Sequence, residues 1–133
     1  MADNLPDAIE HSILNLLLRG TAFTPTTTTV KARLMTTNGS DTAAGTEQTT
    51  SQGYTVGGAT ITFGSAASGG QISNTAAVTW TNMPTCSITG MEIWDTAGTP
   101  LRLWWGALAG GTKSVTSGDS FEFAIGAIVC AIS

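Results

Sequence analysis

Few residues of this chain have the chemistry for catalysis or metal binding, and they are widely spaced. His11 is the only histidine, and the two cysteines are Cys86 and Cys130. A serine–histidine–aspartate site needs a nucleophile on a rigid turn such as G-x-S-x-G, which the sequence does not contain. Zinc needs a spaced set of ligands, and these three residues do not form one. We therefore expect no catalytic residue, no metal and no cofactor, and we interpret His11 as a solvated or interface histidine.

The acidic residues favour structural roles over a paired-carboxylate active site. Asp95 opens a cluster of turn formers, and Glu92 lies opposite Arg102 in the hairpin described below. Asp41 and Glu47 share a flexible loop, but they lack the Asp-x-Asp-x-Asp-Gly spacing of a calcium site. The sequence therefore predicts a protein that is not an enzyme.

The tryptophans offer a different kind of site, because tryptophan and arginine dominate protein interfaces. Trp94 and Trp104 lie in two apolar runs that flank the turn formers of residues 95–100. This pattern predicts a β-hairpin with a loop of about five residues, and the rest of the chain must cover its apolar face.

The register of this hairpin decides which side chains face the core, since a slip of one residue turns each side chain to the other face. Pairing Asp95 with Leu101 buries no charge and gives Arg102 both Glu92 and Trp94 as cross-strand neighbours. The inward face then holds Met91, Ile93, Leu101, Leu103 and Trp105, and the outward face holds Glu92, Trp94, Arg102 and Trp104. Whether Trp94, Arg102 and Trp104 form a subunit contact or lie beneath another element of the chain stays open.

An amphipathic helix of about fourteen residues is predicted near the N-terminus, with Asn4 as N-cap and Gly20 as the stop. Its apolar residues recur at helical spacing: Leu5, Ile9, Ile13, Leu16 and Leu17. Leu14 and Leu18 widen this stripe beyond what a lone surface helix requires. We therefore predict that residues 1–20 form a docking or interface element that carries Ile9, Ile13 and Leu17.

Residues 21–133 read as a single β domain. Short alternating segments recur at about ten-residue intervals, which predicts a mainly β fold: an antiparallel β-sandwich or barrel of about seven or eight strands. The longest loop, residues 36–53, has almost no apolar bulk, and such loops are often functional or mobile.

Composition excludes several classes of function. Charged residues make up 11% of the chain and the net charge is −4, without a lysine or arginine cluster to follow phosphates, so we expect no nucleic acid partner. The apolar run of residues 13–18 is too short to cross a membrane, and the acidic N-terminus predicts no signal peptide. We interpret Cys86 and Cys130 as two separate buried thiols in a protein that is made in a reducing cytoplasm, although a disulfide bond between them stays open.

Several stretches of the chain resemble a family of small bacteriophage virion structural proteins, often labelled tail-fibre or minor structural proteins or similar to capsid decoration proteins. The stretches that carry the resemblance are Leu18-Arg19-Gly20-Thr21-Ala22-Phe23, Phe63-Gly64, Ser73-Asn74-Thr75, Ile93-Trp94-Asp95, Trp105-Gly106-Ala107-Leu108 and Ser117-Gly118-Asp119-Ser120-Phe121. They span nearly the whole chain and consist of structural turns and strand ends. The chain departs from the family pattern in its tryptophan-rich hairpin and in Cys130.

The resemblance implies a virion component that is assembled in the cytoplasm of the bacterial host, and it brings no catalytic residues. Chain length helps to choose a role, because a receptor-binding fibre usually needs a trimeric shaft or an anchoring domain, and 133 residues without coiled-coil heptads leave little room for either. We expect a capsid decoration protein that binds the phage major capsid protein and self-associates as a homotrimer. The alternative is a tail-fibre or host-recognition module.

Overall fold

The computed structural model describes residues 4–23, 29–67 and 69–132. Within these ranges the chain forms one helix and eleven short strands. They are α1 (Asp7–Arg19), β1 (Val30–Thr37), β2 (Thr46–Glu47), β3 (Ala59–Ile61), β4 (Gln71–Ser73), β5 (Val78–Trp80), β6 (Cys86–Ile88), β7 (Gly90–Asp95), β8 (Arg102–Ala107), β9 (Lys113–Val115), β10 (Phe121–Phe123) and β11 (Val129–Ala131).

The largest sheet has five strands and is built around β1. Strand β1 pairs along its length with β7, which pairs in turn with β8, and its other edge pairs with β2 and β3. The alternation of apolar and cationic residues in β1 buries Ala32 and Leu34, while Lys31 and Arg33 face the other side. Three two-stranded antiparallel sheets complete the β structure: β5 with β10, β4 with β11, and β6 with β9.

The hydrophobic core takes its buried residues from the five-stranded sheet, from all three small sheets and from the connecting segments. Tyr54 and Trp80 stack at its centre with ring centroids 6.3 Å apart, and the edges of Phe121 and Phe123 pack against Trp80 at 6.2 Å. Aromatic pairs in this geometry add stability beyond the area that they bury. The other buried members of the core are Ala32, Leu34, Ile61, Val78, Met83, Ile88, Ile93, Val115, Ile128 and Cys130.

The first turn of helix α1 attaches the helix to the β structure. The backbone N–H of Asp7 donates to the carbonyl of Asp41, and Leu5 and Ile9 are buried. Ile9 is the only buried residue within the helix itself. Gly20 ends the helix in a left-handed conformation with φ of 66°, which glycine adopts without the steric cost of a Cβ atom.

The mainly β fold with one N-terminal helix is confirmed, with eleven short strands where the sequence pattern predicts seven or eight. No barrel closes within the described ranges. Asn4 is not the N-cap: Pro6 occupies that position without a side-chain hydrogen bond. Asn4 instead has φ of 65°, and its carbonyl accepts the N–H of Trp105 at 3.1 Å, so the sheet edge and not the helix fixes its conformation.

Candidate functional site: the tryptophan hairpin, an apolar groove and an exposed helix

The hairpin of β7 and β8 contains a bulge that the sequence does not reveal. Near the turn the predicted register holds: Trp94 pairs with Arg102, and the N–H of Asp95 donates to the carbonyl of Leu101. Between Ile93 and Trp94 the register shifts, so that Ile93 pairs with Trp104. An extra residue in one strand turns the side chains beyond it to the opposite faces.

The bulge exchanges the predicted positions of two tryptophans. Trp104 faces inward, half-buried against the hydrophobic core, and Trp105 pairs with Glu92 on the other face. The indole N–H of Trp105 donates to Asp41 at 3.0 Å. The predictions that Trp104 faces outward and that Trp105 faces the core are therefore wrong.

A buried ion pair occupies the outer face of the hairpin. Arg102 contacts Glu92 at 3.3 Å, and the two side chains are 9% and 1% exposed. The expectation that this register buries no charge is wrong, because the segment of residues 38–47 folds over the pair. Arg102 donates to the carbonyls of Ser40, Asp41 and Ala43 at 2.6–3.2 Å, and Glu92 accepts the N–H of Gly45 at 2.8 Å.

The same loop leaves no space for a side chain at Gly39. A Cβ atom there would contact the Glu92 carboxylate, Nη1 of Arg102 and the carbonyl of Ala43. The long polar loop is therefore a fixed cover whose backbone supplies the oxygen atoms that a buried guanidinium needs.

Trp94 joins the outer face of the hairpin to strand β1. Its indole N–H donates to Glu92 at 2.9 Å, and the Arg33 guanidinium lies over its ring at 4.3 Å from the centroid. Arg33 also forms an ion pair with Glu47 at 3.4 Å, and Glu47 accepts the hydroxyl hydrogen of Tyr54 at 2.7 Å. Burial, and then this hydrogen bond, raise the pKa of Tyr54.

An apolar groove of about 710 Å³ lies on the inner side of the hairpin, between β8 and the strands β10 and β11. Its apolar lining includes Trp104, Leu108, Phe121, Phe123, Ile128 and Val129. Val129 is 51% exposed, so part of the lining faces solvent. Three charged residues also line the groove, and all of them are exposed: Lys113, Asp119 and Glu122.

The second half of helix α1 presents leucines to solvent. Leu14, Leu17 and Leu18, which we call the leucine face, are 53%, 72% and 79% exposed, and Leu16 is 42% exposed. Large apolar side chains that are grouped on a surface usually mark an interaction site. Among the described residues 4–20, Asn4 alone lines the apolar groove of the same chain.

The six predicted interface residues fall into three groups. Ile9 and Arg102 are buried within the chain. Ile13 and Trp94 are half-buried, and Trp104 is half-buried at the groove. Leu17 is the one that faces solvent most fully. The role of these residues in an interface stays a prediction. The half-buried residues and Leu17 leave side-chain surface that another molecule can contact.

The residues considered for catalysis are not brought together. Within the described ranges no group of three or more histidine, cysteine or acidic side chains is placed to hold a metal ion. Asp95 accepts the N–H groups of Ala97 and Leu101, the turn role that the sequence predicts. Cys86 and Cys130 are free thiols, and burial raises the pKa of both, that of Cys130 to about 12. No helix in the described part of the chain is long and apolar enough to cross a membrane.

Comparison with known protein families shows to which kind of protein these surfaces belong. The family model described as "Podophage GP4 fiber I protein gp80" matches residues 4–131, which include the helix, the hairpin and the groove. The chain belongs to this family. It is therefore a structural protein of a bacteriophage virion, and the resemblance seen in the sequence is confirmed at that level. No curated protein matches the chain.

Two surfaces of this virion protein are uncovered within the described residues, the leucine face and the apolar groove. Sequence reasoning found the first, through the wide apolar stripe of the helix. It missed the groove, because its lining comes from six stretches that are separated along the sequence. The exposed Val129, on a short strand near the end of the chain, gives no signal in the sequence that would distinguish it from a core residue.

Proposed function

We propose that this protein is a small structural subunit of a virion fibre and acts through protein–protein contacts, without enzymatic activity. The observation that carries the proposal is the match of a fibre protein family to residues 4–131. The leucine face and the apolar groove support it, because a subunit that works inside an assembly needs apolar surface for its neighbours.

A role as a capsid decoration protein is the second candidate. These 133 residues contain no coiled-coil heptads, and a decoration protein needs only a small domain with a docking element. On this candidate the partner is the major capsid protein and the chain is a trimer on the shell.

Labelling of intact virions separates the two candidates. Antibody fragments raised against the purified chain, conjugated to gold and imaged by electron microscopy, should bind at the fibres. Fragments that label only the head would contradict the fibre role and support decoration. Antibody fragments against the major capsid protein provide the control, because they must label the head in the same preparation.

A further inference from the structure

The leucine face and the apolar groove are complementary surfaces that both remain uncovered within the described residues of one chain. We propose that helix α1 of one copy inserts its leucine face into the apolar groove of a second copy. This inference deepens the proposed function, on which it rests in one respect: the chain works as a subunit of an assembly. The inference makes the apolar groove of a second copy the binding partner of the leucine face.

The dimensions and chemistry of the two surfaces match. An apolar cavity of roughly 150 Å³ holds one benzene molecule in another protein, so a groove of about 710 Å³ has room for several leucine side chains. Leu14, Leu17 and Leu18 stand at positions i, i+3 and i+4, the spacing by which an amphipathic helix anchors in an apolar groove. The aromatic lining of Trp104, Phe121 and Phe123 supplies the opposing surface.

Charges around the two surfaces are also complementary. Arg19 is the basic residue in the last turn of α1, directly after Leu18, and it is exposed. Asp119 is exposed at the groove, where its carboxylate accepts the N–H of Thr116, so insertion of the helix end brings Arg19 towards an acidic side chain.

The contact is head-to-tail, because the helix of one copy and the groove of the next are different surfaces. Each copy then gives one helix and receives one. Such heterologous contacts close into a ring when the rotation between copies allows it, and they otherwise grow into a filament. Either assembly leaves the outer face of the hairpin, with its buried ion pair, unchanged.

Mixed cysteine cross-linking tests the pairing. Leu18→Cys chains mixed with Val129→Cys chains under mild oxidation should give a disulfide-linked heterodimer. The native thiols contribute little, because Cys130 is buried with a pKa raised to about 12 and burial also raises the pKa of Cys86. Val56→Cys replaces Val129→Cys as the matched control, since Val56 is 53% exposed and does not line the groove.

Each outcome of the cross-linking decides the proposal. A heterodimer formed with Val129→Cys but not with Val56→Cys supports it. Dimers of Leu18→Cys chains alone would show that helices pair with each other. A cross-link within one chain that carries both cysteines, on protein that remains monomeric in light scattering, would show that the helix occupies its own groove. Either of the last two results overturns the proposal.

Light scattering on variants measures the strength of the contact. Leu17→Ser and Val129→Glu should each raise the dissociation constant about tenfold or more, and Val56→Ser should leave it unchanged. Arg19→Glu and Asp119→Arg should each weaken association, and the double variant should restore it. Variants that associate as the unchanged chain does would contradict the proposal.

The experiments test the helix-in-groove contact and the fibre role independently of each other. A chain that stays monomeric in solution while antibody fragments label the fibres would remove the helix-in-groove contact and leave the fibre role. A chain that cross-links as expected while only the head is labelled would leave the contact and remove the fibre role.

Discussion

Arg102 lies beneath a loop that it holds through three backbone carbonyls, while Glu92 balances its charge. Loss of one partner of such a pair leaves the other charge buried without compensation. We expect Arg102→Met to lower the free energy of unfolding by about 3–5 kcal/mol. Urea denaturation at neutral pH, monitored by tryptophan fluorescence, measures the change.

A matched arginine variant gives the control for this prediction. Arg19→Met removes the same side chain from an exposed position and should change the free energy of unfolding by about 0.5 kcal/mol or less in dilute monomer. Equal effects of the two substitutions would show that the buried ion pair does not stabilise the loop.

Cys130 makes stability depend on pH at the alkaline end. Burial raises the pKa of its thiol from 9.0 to about 12, so the folded chain favours the neutral thiol and the unfolded chain loses the proton first. As the pH rises from 9.0 towards 12, the free energy of unfolding should therefore fall, by up to about 1.4 kcal/mol per pH unit from this group.

Comparison with Cys130→Ala isolates this contribution. The variant should lose less stability between pH 8 and pH 10.5 than the unchanged chain in urea denaturation, whereas Val129→Ala, which removes no titrating group, should follow the unchanged chain. Parallel pH dependence of the Cys130→Ala variant and the unchanged chain would contradict the prediction.

At the residue scale, the sequence predicted local pairings and missed the exchange of faces. The neighbours of Arg102 follow from strand alternation close to the turn, and they are confirmed. The bulge beside Trp94 depends on distant parts of the chain. The loop of residues 38–47 compensates a buried Glu92, and the core accepts Trp104. The alternation of apolar and polar residues within the hairpin sequence contains no sign of either contribution.

At the scale of elements, helix α1 divides into an anchored half and a free half. Ile9 is 5% exposed, whereas Leu17 is 72% exposed. Helical spacing predicts the helix and its apolar stripe, but both halves carry large apolar residues, isoleucine in the first half and leucine in the second. Which half packs against the sheet depends on the hydrogen bond from Asp7 to Asp41 and on the link from Trp105 to Asn4, which join segments far apart in sequence.

This division predicts opposite effects for substitutions along one helix. In dilute monomer Ile9→Ala should lower the free energy of unfolding by about 2–4 kcal/mol, because it removes a buried side chain. Leu17→Ala should change it by about 0.5 kcal/mol or less and weaken self-association instead. Chemical denaturation and light scattering of the same samples measure both quantities. Similar losses of stability in the two variants would show that the whole helix packs against its own chain.

At the scale of the molecule, the β segments enclose a core and leave the apolar groove at one side of it. The mainly β class followed from short alternating segments, and the pairing of small sheets such as β4 with β11 did not. These partners are separated by more than half of the chain's β segments, so only the folded chain brings Ile128 and Val129 beside Phe123 at the groove.

A map of the whole virion by electron cryomicroscopy, at a resolution that shows helices, tests the central claim most directly. We predict density for this chain at a fibre, with helix α1 of each copy seated in the apolar groove of the next. Density for the chain on the head shell, or copies at a fibre whose grooves are filled by another protein, would contradict the account.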